Sequence, residues 1–197
     1  MLKRILLWLF AFILSVILII SIYIGITYWR ASSGLPEWNG TLTAEGLDGP
    51  VEIIRDEHGI PYIEATTQRD LYFAQGFVHA QDRFWQMAFN RRISQGRLSE
   101  WLGPAALNSD RLNRADDLVG LAERAWDKLP PEIQTLATAY ADGVNAWLEG
   151  PYYRRPPEMT ILHVHPEKWR PQDTVRLLYF VHMNISRSGD ELLSTRI

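Results

Sequence analysis

The stretch from Asp70 to Arg92, DLYFAQGFVHAQDRFWQMAFNRR, decides how the rest of the chain is read. Phe73, Phe77, Ala80, Phe84 and Met87 recur at alternating steps of four and three, which is one stripe along an α-helix. Gln75, His79, Asp82, Gln86 and Asn90 form a second, polar stripe, with Arg83 beside it. Val78, Trp85, Ala88 and Phe89 widen the apolar arc past half the circumference, more than an ordinary surface helix shows. The expectation is a largely buried helix with a thin polar seam. Because unpartnered burial is costly, neighbouring segments should supply hydrogen bonds to that seam. His79 then reads as a satisfied structural histidine rather than a ligand.

Working outward, Thr67 followed by Asp70 opens this helix in the manner of a capping box, and Gly96 closes it. Upstream, Val51–Arg55 and Ile60–Ala65 are β-rich runs around Asp56-Glu57-His58-Gly59, a hairpin pattern. Pro61 cannot donate to a ladder and belongs at an edge. Downstream, Arg97–Leu102 reads as a short helix. The next helix is capped by Ser109 or Asp110 and buries Leu112, Ala115, Val119, Ala122 and Trp126. Pro130-Pro131 breaks it and starts a successor carrying Ile133, Leu136, Tyr140, Val144 and Trp147. Tyr152–Pro157 reads as loop and Thr160–His165 as a short extended piece. Pro171 begins a helix through Met183, and Asp190, Glu191, Leu192, Leu193 and Ile197 read as the first turns of another. No stop signal follows that last pattern, so the fold is expected to continue on residues beyond Ile197.

The N-terminus is different in kind. From Ile5 to Trp29 there is no charge, and about 20 apolar residues span a bilayer. Trp8 sits near one end and Tyr23, Tyr28 and Trp29 near the other, where interfacial aromatics belong. Lys3 and Arg4 precede the run, so the positive-inside bias leaves residues 1–4 in the cytoplasm. Residues 5–29 are then a transmembrane anchor, 30–50 a Gly- and Pro-bearing linker, and 51–197 a body on the periplasmic or extracellular face. A cleaved secretory signal is the competing reading, and both export the body.

Composition narrows the chemistry. The chain of 197 residues fits one domain with an appendage, is 47% hydrophobic, and carries eight tryptophans, an aromatic load that implies a sizeable core. A net charge of −3 with no block of like charges gives no footprint for nucleic acid. Without cysteine the chain has no disulfide, no thiolate metal site and no cysteine nucleophile. Ser94, Ser99, Ser188 and Ser194 lie in no nucleophile elbow. His163 and His165 share a strand face but lack a third ligand in reach.

Several motifs together resemble the penicillin acylase family, which includes penicillin amidases, cephalosporin acylases and acyl-homoserine-lactone acylases. In order they are RDEHGIPYI (55–63), Asp70-Leu71 with AQGFVHAQDR (74–83), Gln86-Met87, Arg91-Arg92, GRLSE (96–100), Gly103, YADGVNAW (140–147) and Trp169-x-Pro171-x-Asp173. The resemblance covers about Val51 to the end. It implies the α-chain portion of an αββα N-terminal-nucleophile hydrolase: mainly helical, with an N-terminal β-hairpin, preceded here by one transmembrane helix. Members cut themselves in two, and a serine freed at the N-terminus of the β chain attacks an amide. The nucleophile would then lie on a β chain absent here, and this chain carries no catalytic residue of its own.

The resemblance further implies small acyl-amide substrates, a structural calcium ion and no organic cofactor. Glu191 falls on the family's calcium ligand; it reads equally as a surface carboxylate in the first turn of a helix. Val181 and Ile185 fall on acyl-pocket positions where better-known members carry methionine and phenylalanine. Smaller side chains there suit a longer or bulkier acyl group. A different class of reading is an inert membrane-anchored helical remnant that binds a partner. The coding sequence just past Ile197 separates the two.

Overall fold

The computed structural model describes residues 2–32, 40–41, 43–151 and 153–194, with backbone alone for 2, 30–32 and 187–194. Helix α1 (Leu2–Ser32) is followed by the antiparallel strands β1 (Val51–Arg55) and β2 (Pro61–Ala65). The helices α2 (Gln68–Ser94), α3 (Ser99–Leu102), α4 (Leu107–Ala115), α5 (Leu118–Trp126), α6 (Pro131–Glu149), α7 (Pro157–Ile161) and α8 (Pro171–Ser194) complete the order. A short 3-10 turn, Gly103–Ala106, joins α3 to α4.

Helix α2 is the spine. Thr67 Oγ1 accepts the Asp70 N–H at 3.0 Å, and Gly96 leaves the helix at φ +62°, so both of its sequence signals operate. Its chief partner is α6. Two glycines make that crossing close: a Cβ on Gly76 would overlap the Tyr140 carbonyl, and one on Gly143 the Phe73 carbonyl. Around them Ala80, Phe84, Ala88, Ala141, Val144 and Trp147 form the core with Met159 and Trp169. Phe84 and Trp147 meet at 5.6 Å between ring centroids. Burying each such ring is worth about 2–3 kcal/mol. Core position thus follows the apolar stripe.

The seam is another matter. His79, Asp82, Gln86 and Asn90 are exposed and Gln75 is half-buried, so the seam lies on the solvent side of α2. Two of its members are partnered as expected. His79 Nδ1 lies 3.0 Å from the Tyr140 hydroxyl, and Asp82 receives a bidentate pair from Arg55 at 2.9 Å each. Next to Asp82 the helix loses its regular dihedrals at Arg83 (φ −139°, ψ 19°), where the hairpin is clamped on. No proline or glycine accounts for the break.

Other expectations need correction. The helix placed after Ser109 is two, split at Asp116-Asp117, where Asp117 takes φ +47° and accepts the Gly120 N–H. The break rotates the faces, so Leu112, Ala115 and Val119 are exposed while Leu118 and Ala122 are buried. Asp110 caps a different helix: its carboxylate accepts the Leu98 and Ser99 N–H groups at 2.7 and 2.9 Å. Pro157–Ile161, taken as loop and the start of an extended piece, is a helical turn that buries Met159. Finally α8 runs unbroken from Pro171 to Ser194, through Gly189, instead of stopping at Met183.

Helix α1 stands apart from this core. Its large apolar side chains from Ile5 to Ile26 are exposed, and 27 residues, Lys3–Trp29, are long and apolar enough to cross a membrane. A signal sequence shares those properties.

Candidate functional site

Two surfaces concentrate the residues that matter: the mount and outer row of α8, and the hairpin laid on α2. The mount is polar and buried. Asp173 accepts from the Arg170 N–H at 2.9 Å, capping the first turn of α8. The same carboxylate pairs with Arg91 at 3.3 Å and with Arg176. Arg176 Nε donates to Ser94 Oγ at 3.1 Å, and that hydroxyl donates to the Arg91 carbonyl at 2.9 Å. Arg91 also donates to the Lys168 and Glu167 carbonyls and lies 5.2 Å over the Trp169 ring. Burial pulls its guanidinium below the usual arginine range, against the pull of Asp173 and Glu167. Arg92 pairs with Glu100 and Glu167 and covers Trp101 at 4.8 Å. The backbone before α8 is held as well: Asn145 exchanges two hydrogen bonds with Trp169, at 2.7 and 2.9 Å. Arg91, 82 residues from Asp173 in sequence, and Arg92, 75 from Glu167, therefore fix where α8 begins.

Beyond this mount the helix presents an apolar row to solvent. Val181 is 53% and Ile185 69% exposed, one turn apart, and Leu178 at 69% extends the row. The structure thus brings the two sequence-derived positions together on one open face. Leu178 was not singled out from sequence, although its spacing of three before Val181 is the readable signal. Glu191 falls on the last turns of α8, with its side chain outside the described residues. Among the described residues no three His, Cys, Asp or Glu side chains converge as metal ligands, His163 and His165 included. Calcium takes six to eight oxygens, so the described residues do not by themselves fit that ion.

The hairpin is clamped by Arg55. Its guanidinium holds the Asp82 carboxylate, donates to Gln81 Oε1 at 2.8 Å, and reaches back to the Gly59 carbonyl at 3.0 Å. The turn closes on Asp56, whose Oδ1 accepts from His58 N and Ile60 N, while Gly59 takes φ +77°. This explains the RDEHGI motif as a self-contained turn with one clamp. The lead-in is pinned as well, with Asp48 N donating to Asp70 and Arg69 donating to the Asp48 carboxylate, both at 2.8 Å. Between that lead-in and α6 lies a cleft of about 600 Å³ that reaches Phe77, Trp147 and Lys168.

Chemically, these described residues position and enclose. Ser94 Oγ is buried and committed to Arg91 and Arg176, so it is no nucleophile. Partial burial holds His79 below its usual value despite the raising effect of Asp82, and burial pushes the Tyr140 hydroxyl up to about 12. Their contact therefore joins a neutral imidazole to a protonated phenol near neutral pH.

Comparison with known proteins places the chain. The penicillin amidase family model matches residues 50–197. The penicillin acylase 2 proenzyme of Pseudomonas sp. (strain SE83) is 39% identical over 146 residues, 74% of this chain and 19% of the relative. The acyl-homoserine lactone acylase QuiP of Pseudomonas aeruginosa is 36% identical over 166 residues, 84% of this chain and 20% of the relative. The solved thermostable penicillin G acylase from Alcaligenes faecalis superposes with a TM-score of 0.63 at 30% identity, over 72% of this chain and 75% of that one. The chain spans about a fifth of the length of the curated relatives it matches. With a mostly helical body, one two-stranded antiparallel sheet and a family match over three quarters of its length, this chain belongs to the penicillin amidase family.

Proposed function

We propose that this chain is the N-terminal, α-chain portion of a membrane-tethered acylase that hydrolyses linear amide bonds in penicillin-, cephalosporin- or acyl-homoserine-lactone-type substrates. One pair of lengths carries the reading. Relatives, one of them named a proenzyme, run about five times the matched stretch, whereas a solved penicillin G acylase chain is covered to 75%. Those lengths fit a precursor cut into a short first chain and a long second one.

In this reading a serine freed at the start of the second chain attacks the amide carbonyl, with its own α-amino group as base. Donors on that chain stabilise the tetrahedral oxyanion. This chain's residues do the positioning. The Arg91–Asp173–Arg176 mount fixes α8, and Val181 and Ile185 form one wall against the acyl group. Their modest size favours longer or bulkier acyl chains. The hairpin and helices supply part of an αββα N-terminal-nucleophile fold. Calcium enters only as a structural ion, with Glu191 as this chain's single ligand and the remaining oxygens on the second chain. Residues 5–29 span the inner membrane, 1–4 stay in the cytoplasm, 30–50 link, and 51–197 stand in the periplasm.

The complete gene product tests this. After expression it should yield two fragments, the larger beginning with serine, and should hydrolyse long-chain acyl amides faster than phenylacetyl amides. A gene product that stops at Ile197, or an intact one without amidase activity, refutes the reading. A strong phenylacetyl preference removes the assignment of Val181 and Ile185 alone. Release by an alkaline carbonate wash removes the tether.

A further inference from the structure

One face of the hairpin is partly covered, with Ile53 still 38% exposed on it, and the other is open. Val51, Ile53, Arg55, Pro61, Ile63 and Ala65 share the face turned to α2, through the register pairs Val51↔Ala65, Ile53↔Ile63 and Arg55↔Pro61. The opposite face carries the pairs Ile54↔Tyr62 and Glu52↔Glu64. Ile54 is 48% and Tyr62 57% exposed, and Ile60 beside the turn is also exposed. Glu52 and Glu64 are exposed and directly opposite one another, an arrangement of like charges that weakens a ladder unless a cation answers it. A two-stranded sheet is marginal by itself, and both outer edges of this one lack a strand partner among the described residues.

We infer that this outer face is where the second chain docks, through a segment that is apolar opposite Ile54 and Tyr62 and basic opposite Glu52 and Glu64. The inference rests on the two-chain reading above and adds to it the surface and its chemistry. About four fifths of the relatives' length lies outside the matched stretch, which supplies an occupant large enough to cover a sheet face. Charge selects against the alternatives. The face is acidic at both ends, with Glu52 and Glu64 at one and Asp56 and Glu57 at the turn. A second copy would therefore set acid against acid, and an anionic lipid surface would be repelled.

The test uses the complete gene product, carrying the photoreactive residue p-benzoyl-phenylalanine in place of Tyr62. Irradiation in cells followed by peptide mapping should give an adduct to residues beyond 197. In parallel, Glu52→Lys with Glu64→Lys should cut recovery of the second chain about tenfold at low salt, some 1.4 kcal/mol of association. Protease resistance of the first chain should be retained, since both carboxylates are exposed. Adducts only to another copy or to lipid, or no adduct while two chains still co-purify, overturn the docking surface and leave the two-chain reading standing. An uncut polypeptide with a Tyr62 adduct beyond residue 197 does the reverse. A gene product that ends at Ile197 sinks both.

Discussion

The α2–α6 crossing and the outer surface of the hairpin and α8 are built from the same kinds of side chain, yet one is closed and the other open. At the crossing, Phe73, Phe84, Val144 and Trp147 are at most 3% exposed. On the outer surface, Ile54, Tyr62, Leu178, Val181 and Ile185 are 48–69% exposed. Hydrophobicity does not separate the two regions. What separates them is a covering layer: α6 supplies one for α2, and α2 supplies one for a single face of the hairpin. Elements with an apolar face are stable in layers, so the open region is where the proposed second chain would add one.

The comparison breaks hardest if the closed half is opened at its polar mount. Asp173→Ala leaves Arg91 and Arg176 buried without their shared carboxylate, and should cost about 3–5 kcal/mol in denaturant unfolding of the complete protein. Gly143→Ala drives a methyl into the Phe73 carbonyl and should cost about 1–3 kcal/mol by forcing α2 and α6 apart. Arg55→Lys keeps the charge but loses the fork on Asp82, and should loosen the hairpin by about 1 kcal/mol, read as faster amide exchange in β1 and β2.

The pH dependence sharpens the closed half further. The Arg97 hydrogen bond holds Glu100 below the usual carboxylate range. Burial pushes Asp110 up, but hydrogen bonds from Ser99 and Leu98 outweigh it and hold it low. With His79 also lowered, all three groups bind fewer protons folded than unfolded, so stability rises with pH. It should be complete above about pH 7, fall first as pH drops through about 6.5 and again below about 4.5. His79→Gln should remove the first step of a pH–melting profile and spare the second. The smallest expected effect lies on the open half. Val181→Ser or Ile185→Ser should change stability by less than about 0.5 kcal/mol, while shifting the ratio of long-chain to phenylacetyl amide hydrolysis.

The sequence made the closed half legible and hid its mount. Thr67, Gly96, Pro131 and Gly150 mark helix ends through local backbone chemistry, and the structure uses all four. The hairpin was readable for the same reason, since Asp56 and Gly59 complete their turn within four residues. The mount was not. Arginine is expected at the surface, and the partners of Arg91 lie 76 to 82 residues away, beyond any periodic signal. The seam misled for a related reason: the width of an apolar arc does not say which side of it faces out. Asp116-Asp117 carried a weak break signal inside an otherwise continuous pattern, and reading through it misassigned Leu112 and Val119. On α8, Val181 and Ile185 came from the resemblance alone; their four-residue spacing is what puts them on one face of the helix.

The pinning of Asp48 onto Arg69 and Asp70 sets the length of a leash. From Ser32, the last residue of α1, to Asp48 the chain reaches about 55 Å at full stretch. On the proposed tethered reading, with α1 in a bilayer, the body would sample only a shell of that depth. For the proposed acylase, substrates bearing long acyl tails would gather in the same shell because they partition toward lipid, and encounter would become a search across a surface rather than through a volume.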